Sequence, residues 1–212
     1  MKKKEFDPFT WDNVSIEKYY QILDILMDEE DDDITKNVRL VSVILDKDEQ
    51  EVWDMDLGQV GLYISRLKFL SKFDLKKIPD TVVLPDYTLE VMSDLTKITI
   101  AQYVDYQNFI KRPLRESMDK IMSVFLIPQG KKYNEGYDII DLQKQIRENM
   151  SFRMAEAFLG FFLMEYSRLL IRSLRAYRKM IRREKDLKKK EELMQQETQI
   201  QEKIQSLIHM AG

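Results

Sequence analysis

The stretch SFRMAEAFLGFFLMEYSRLLIRSLRAYRKMIRR, Ser151 to Arg183, decides how this chain is read. Leu159, Leu163, Tyr166, Leu170, Leu174, Tyr177 and Ile181 recur in steps of 4, 3, 4, 4, 3 and 4. That spacing places them on one face of an α-helix. Arg168, Arg172, Arg175, Lys179 and Arg182 form a second stripe, with Arg183 beside it. Ser151 is placed to cap the helix. No glycine follows Gly160, and no proline occurs, until the chain reaches Ala211. The sequence therefore predicts one helix of about 55 residues, roughly 80 Å at 1.5 Å per residue, which projects beyond a domain of this size. After Lys190 the apolar residues thin to Leu193, Ile200, Ile204 and Leu207 among Glu and Gln. That part reads as a coiled-coil tail or as a helix ordered by a partner.

Charge is segregated along the chain, although the net charge is only -3. From Asp24 to Asp56 there are 13 acidic and 3 basic residues, a net of -10. From Tyr166 to Lys190 there are 11 basic and 2 acidic residues, a net of +9. Such asymmetry points to complementary docking, within the molecule or between copies, or to a polyanion. The stripe Arg168, Arg172, Arg175, Lys179, Arg182 and Arg183 is the candidate contact for a partner or for phosphates. The plainer reading is a solvated face, or one matched by the acidic segment.

Upstream, the 3–4 spacing of Tyr19, Ile22, Leu23 and Leu26 behind Ser15 predicts a helix over 15–27. The acidic run Asp28 to Asp33 reads as a solvated loop. A second helix is expected over 34–45, on Val38, Val41 and Leu45, then a turn at 48–53 and a third helix over 57–70. TVVLPDYTLEV, Thr81 to Val91, is β-branched around Pro85-Asp86 and reads as a hairpin, or as one strand and a turn. Thr99 to Gln102 is a capping-box pattern opening a helix to about Lys111, with Tyr103, Tyr106 and Ile110 expected on its core face. Helices over 114–125 and 138–148 follow, joined by a loop with Pro128, Gly130, Asn134 and Gly136. The expected fold is mainly α: a helical bundle with a small β-hairpin and a long projecting C-terminal helix. The expected organisation is a head over 1–148 and that helix over 149–212.

Other chemistry is sparse. The chain has no cysteine, which fits a reducing compartment. The acidic run lacks the glycine and closing glutamate of a calcium loop. Gly58 and Gly61 lack the remaining parts of a phosphate loop. The single histidine, His209, sits almost at the terminus, and no paired carboxylates mark a general acid and base. The expectation is a soluble, non-enzymatic protein without metal or cofactor. Its most apolar run, Phe158 to Met164, is far short of a bilayer span.

Several segments together carry a resemblance: FTWDNVSIEKYYQIL from Phe9, ISRLKFLSKF from Ile64, VVLPDYTLEVMSDLTKITIAQYVDYQNFI from Val82, FLIPQGKKYNEGYDI from Phe125 and ENMSFRMAEAFLGFFLMEYSRLL from Glu148. In this order they resemble a class of small proteins from the structural gene blocks of tailed bacteriophages of gut Bacteroidetes, including crAss-like phages. Those look like tail assembly chaperones or head–tail virion proteins. The resemblance covers most of residues 9–175 and supplies no catalytic residues. It implies phage structural partners (a tail, portal-region or tape-measure protein) and residence in the host cytoplasm during assembly or in the virion. Homo-oligomerisation and nucleic-acid binding by the basic helix are further expectations.

Overall fold

The computed structural model describes residues 7–72, 77–92, 94–184 and 186–211. The side chains of Leu163, Leu207 and His209 lie outside the described residues. The fold is mainly helical with a small antiparallel sheet. Its helices are α1 (Ile16–Met27), α2 (Asp33–Leu45), α3 (Glu49–Trp53), α4 (Leu57–Arg66), α5 (Ile100–Phe109), α6 (Leu114–Phe125), α7 (Ile139–Asn149), α8 (Phe152–Arg183) and α9 (Leu187–Ala211). The strands are β1 (Thr81–Val83), β2 (Thr88–Val91) and β3 (Leu126–Pro128). The chain divides into two compact units. Unit 1 is Met1–Met92 with Ile100–Ala157, and unit 2 is Ser93–Thr99 with Phe158–Gly212.

In unit 1, two serines set the frame. Ser15 Oγ accepts from Lys18 N at 3.2 Å, and Ser151 Oγ accepts from Met154 N at 3.3 Å, so each caps the helix that follows it. The two caps lie side by side: Ile16 N donates to Met150 O and Phe152 N to Val14 O. The start of α1 is thus clipped to the start of α8. Trp11 anchors the segment before α1, its indole N–H donating to Phe69 O at 3.0 Å and Lys72 O at 2.8 Å.

Helix α1 packs on α2 and α7 and buries Ile16, Tyr20, Ile22 and Ile25. The expected face is therefore rotated, and Leu26 is exposed. The acidic run is more than a loop. Asp32 accepts from Thr35 N at 2.8 Å as N-cap of α2, and Asp33 lies in its first turn, where the helix dipole favours negative charge. The expected turn at 48–53 contains the short helix α3. The third predicted helix stops at Arg66 and tightens into a 3-10 turn, Leu67–Ser71.

The hairpin gains a third strand. β2 pairs with β1 and with β3, in the order β1-β2-β3, and β3 leaves α6 without a connecting loop. Leu89, central in the sheet, and Phe125 and Leu126, at the junction of α6 and β3, are all buried. In α5 the buried pair is Gln102 and Tyr106, whereas Tyr103 stays partly exposed. A buried amide needs a partner, and Gln102 Nε2 donates to Val124 O at 2.8 Å.

A charged cluster also belongs to unit 1. Arg147 pairs with Glu17, Arg115 pairs with Asp24, and both guanidinium groups lie over the Tyr20 ring, at 6.0 and 5.5 Å. Burial is the main cause that pushes the Tyr20 hydroxyl up to about 12. Asp119 is buried beside them, with Arg147 Nη1 3.7 Å from its Oδ1, an atom left without a hydrogen bond. Burial raises its carboxyl above the ordinary 3.8, against the pull of Arg147. A carboxyl with a raised folded-state pKa favours folding below its unfolded pKa and loses that contribution as pH rises through the folded value. Asp119→Asn is therefore expected to be more stable than the wild type at neutral pH, by about 1 kcal/mol. The advantage should vanish near pH 3, which urea titrations at the two pH values measure.

Candidate interaction surface on the C-terminal hairpin

The predicted single C-terminal helix is two helices. α8 ends at Arg183 and α9 begins at Leu187. The reason lies in side-chain capping, which can stop a helix without Gly or Pro. Asp186 Oδ1 accepts from Lys188 N at 2.9 Å and Lys189 N at 3.3 Å, and so acts as the N-cap of a new helix. Arg178 Nε then meets Glu197 Oε1 at 2.8 Å. Along one straight helix these residues would stand about 28 Å apart, so α9 folds back along α8. The expected projection of about 80 Å is thereby replaced by an antiparallel hairpin.

Its seam follows the apolar periodicity. Leu170, Leu174, Tyr177 and Ile181 on α8, and Leu193, Ile200 and Ile204 on α9, are half-buried. Glu197 sits among the α9 residues and gives the 4, 3, 4 spacing of a coiled-coil face. Towards the start of unit 2 the apolar residues are covered: Phe158, Phe162 and Tyr166 are buried. Beyond Tyr166, in contrast, no described side chain is buried.

The six residues of the predicted stripe are all exposed. At 100° per residue, Arg168, Arg172, Arg175, Lys179 and Arg182 fall on the side of α8 opposite the seam. Arg168 is held by Glu165, one turn earlier in its own helix. Among the described residues, Arg172, Arg175, Lys179, Arg182 and Arg183 have no ion-pair partner. Arg175, Lys179, Arg182 and Arg183, with Arg178, line an open groove of about 420 Å³ that has no acidic residue in its lining. Arg178 was missed as a site residue because it stands at the edge of the seam rather than in the stripe. Its signal is the acidic Glu197 that the folded-back α9 brings to it.

Asp186→Ala is expected to cost about 1 kcal/mol, the usual value of a lost N-cap. Hydrogen exchange should locate that loss in the first turns of α9, with unit 1 unaffected.

An apolar groove of about 280 Å³ in unit 1 is lined by aromatic and aliphatic side chains, including Trp11, Tyr19 and Phe152, with Glu156 as its one acid. Burial raises the Glu156 carboxyl and is the larger cause that raises the Tyr19 hydroxyl. No group of three or more His, Cys, Asp or Glu among the described residues is placed to hold a metal ion. No helix among them is long and apolar enough to cross a membrane. Compared with known proteins, the chain matches no family model, no curated protein and no solved structure.

Proposed function

We propose that the protein is a non-enzymatic component of bacteriophage virion morphogenesis, which binds other structural proteins of a tail or head–tail assembly through its C-terminal hairpin. The phage setting rests on the resemblance of residues 9–175. The mode of action rests on one observation: the hairpin beyond Tyr166 buries no described side chain, yet carries along one face five cations that have no ion-pair partner among the described residues. A helix pair normally gains its stability from packing an amphipathic face. A pair this open is suited to completing its packing on a partner. The cations attract an acidic surface and exclude basic ones, which sets encounter rate and partner choice. The partner class is a tail, portal-region or tape-measure protein, met in the host cytoplasm during assembly or retained in the virion.

A pull-down with the tagged chain from phage-infected cells tests this directly. Recovery of tail or portal-region proteins is the expected result. Recovery of no virion or tail-assembly protein overturns the proposal.

A second reading is a nucleic-acid-associated virion protein. What favours it is that Arg172, Arg175, Lys179, Arg182 and Arg183 face away from the seam and are solvated. Phosphate contacts of this type weaken steeply with salt. Absence of DNA binding at low salt, or binding unchanged when these residues become Gln, would eliminate that reading.

A further inference from the structure

We infer that the groove of unit 1 between α1 and the start of α8 is a binding site for a small organic ammonium ion, held by aromatic rings and the Glu156 carboxylate. The inference goes beyond the proposed function and is independent of it, because the groove lies wholly within unit 1.

The first observation is the floor of the groove. Trp11 and Phe152 are buried and Tyr19 is half-buried. The three rings form one cluster. Tyr19 and Phe152 stack at an interplanar angle of 9°, and Trp11 lies tilted against both, its centroid 6.2 Å from each. Leu23 and Leu26 of α1 belong to the lining, and Leu26 is 50% exposed. No lysine or arginine is among the lining residues. Aromatic faces attract cations, tryptophan most strongly, and the attraction grows as the cation leaves water.

The second observation is Glu156. Its carboxyl is half-buried at the groove, and burial raises it above its ordinary 4.5. Among the described residues it has no hydrogen bond and no ion pair. Other partly buried carboxylates of unit 1 are matched: Glu17 by Arg147, and Asp28 and Asp31 by Arg39. A carboxylate taken partly out of water costs free energy unless a cation accompanies it. Glu156 therefore asks for a cation and repels anions. A hard metal ion such as calcium takes about six to eight oxygen ligands, and this groove offers a single carboxylate among apolar side chains. An organic ammonium ion satisfies both parts of the site, its charge meeting Glu156 and its alkyl groups meeting the rings. A volume of about 280 Å³ is small for a ligand site and selects a compact ion.

The test is fluorescence of Trp11 in the full chain. The chain has two tryptophans, and Trp53→Phe, at a position 48% exposed, leaves Trp11 alone to report. The probes are choline chloride, read against sodium chloride at equal ionic strength, and dimethylbutanol, the uncharged carbon isostere of choline. Choline is expected to give a saturable change and to bind about fivefold more tightly than dimethylbutanol, or better. Glu156→Gln is expected to abolish that preference while leaving dimethylbutanol binding and the urea midpoint unchanged. Leu26→Lys, at an exposed position, sets a fixed cation at the groove and is expected to weaken choline by a similar factor. No saturable change with choline overturns the inference. Equal affinity for the two compounds, or a preference for choline that survives Glu156→Gln, overturns it as well.

Discussion

Replacing Arg172, Arg175, Lys179, Arg182 and Arg183 together with Gln is expected to lower affinity for an acidic protein partner by about a hundredfold. Exposed ion pairs each contribute about 0.2–1 kcal/mol, and five of them together reach roughly the 2.7 kcal/mol that a hundredfold requires. The loss should lie partly in the association rate, and high salt should bring the wild type towards the variant. All five side chains are exposed and lie opposite the seam, so the folded chain should keep its unfolding midpoint. Affinity measured by calorimetry on the captured partner at low and high salt checks both parts. A variant that binds as tightly as the wild type at low salt would mean that the cations are merely solvated.

Truncating Phe125 to Ala should cost about 4 kcal/mol, a large fraction of the stability of a domain this size. Phe125 is buried at the point where α6 becomes β3. Its ring meets Tyr106 edge-on at 5.3 Å, and its carbonyl accepts from Met92 N at 2.9 Å, next to β2. One cavity there loosens α5, α6 and the sheet together. The urea midpoint should fall with the slope unchanged. Leu57→Ala, at a position 88% exposed, should move stability by no more than about 0.5 kcal/mol.

The sequence reading and the structure agree where local chemistry decides alone. Ser15 and Ser151 cap as their spacing suggests, and Val38 and Val41 face the core of unit 1. They differ where tertiary partners decide. β3 was read as part of a loop because LIP is too short to show alternation, and only pairing with β2 makes it a strand. Ile22 lies on the core face of α1 as its spacing predicts, but α2 and α7 cover a face that runs through Ile16, Tyr20 and Ile25 and leaves Leu26 exposed. The division of the C-terminal helix was hidden for a different reason. Asp186 stands among lysines in a region of good helix formers, so its role as a cap shows only in the backbone N–H groups it receives. The cation stripe was fully legible, since a 3–4 spacing of Arg and Lys needs no tertiary information. Which of those cations are engaged was not, because Arg178 finds Glu197 only after the chain reverses.

The central claim is that the C-terminal hairpin, and not unit 1, makes the contact through which the protein acts. Amine-reactive cross-linking of the complex captured from infected cells, read by mass spectrometry, tests it most directly. Lys179, Lys188 and Lys189 are exposed on the hairpin, and Lys68, Lys111, Lys131 and Lys132 are exposed on unit 1. The account predicts that cross-links to a virion or tail-assembly protein start from the hairpin lysines, and that those from Lys188 and Lys189 disappear when the five cations are neutralised. Cross-links that start only from the unit 1 lysines, or that persist in the neutralised variant at wild-type yield, would contradict it.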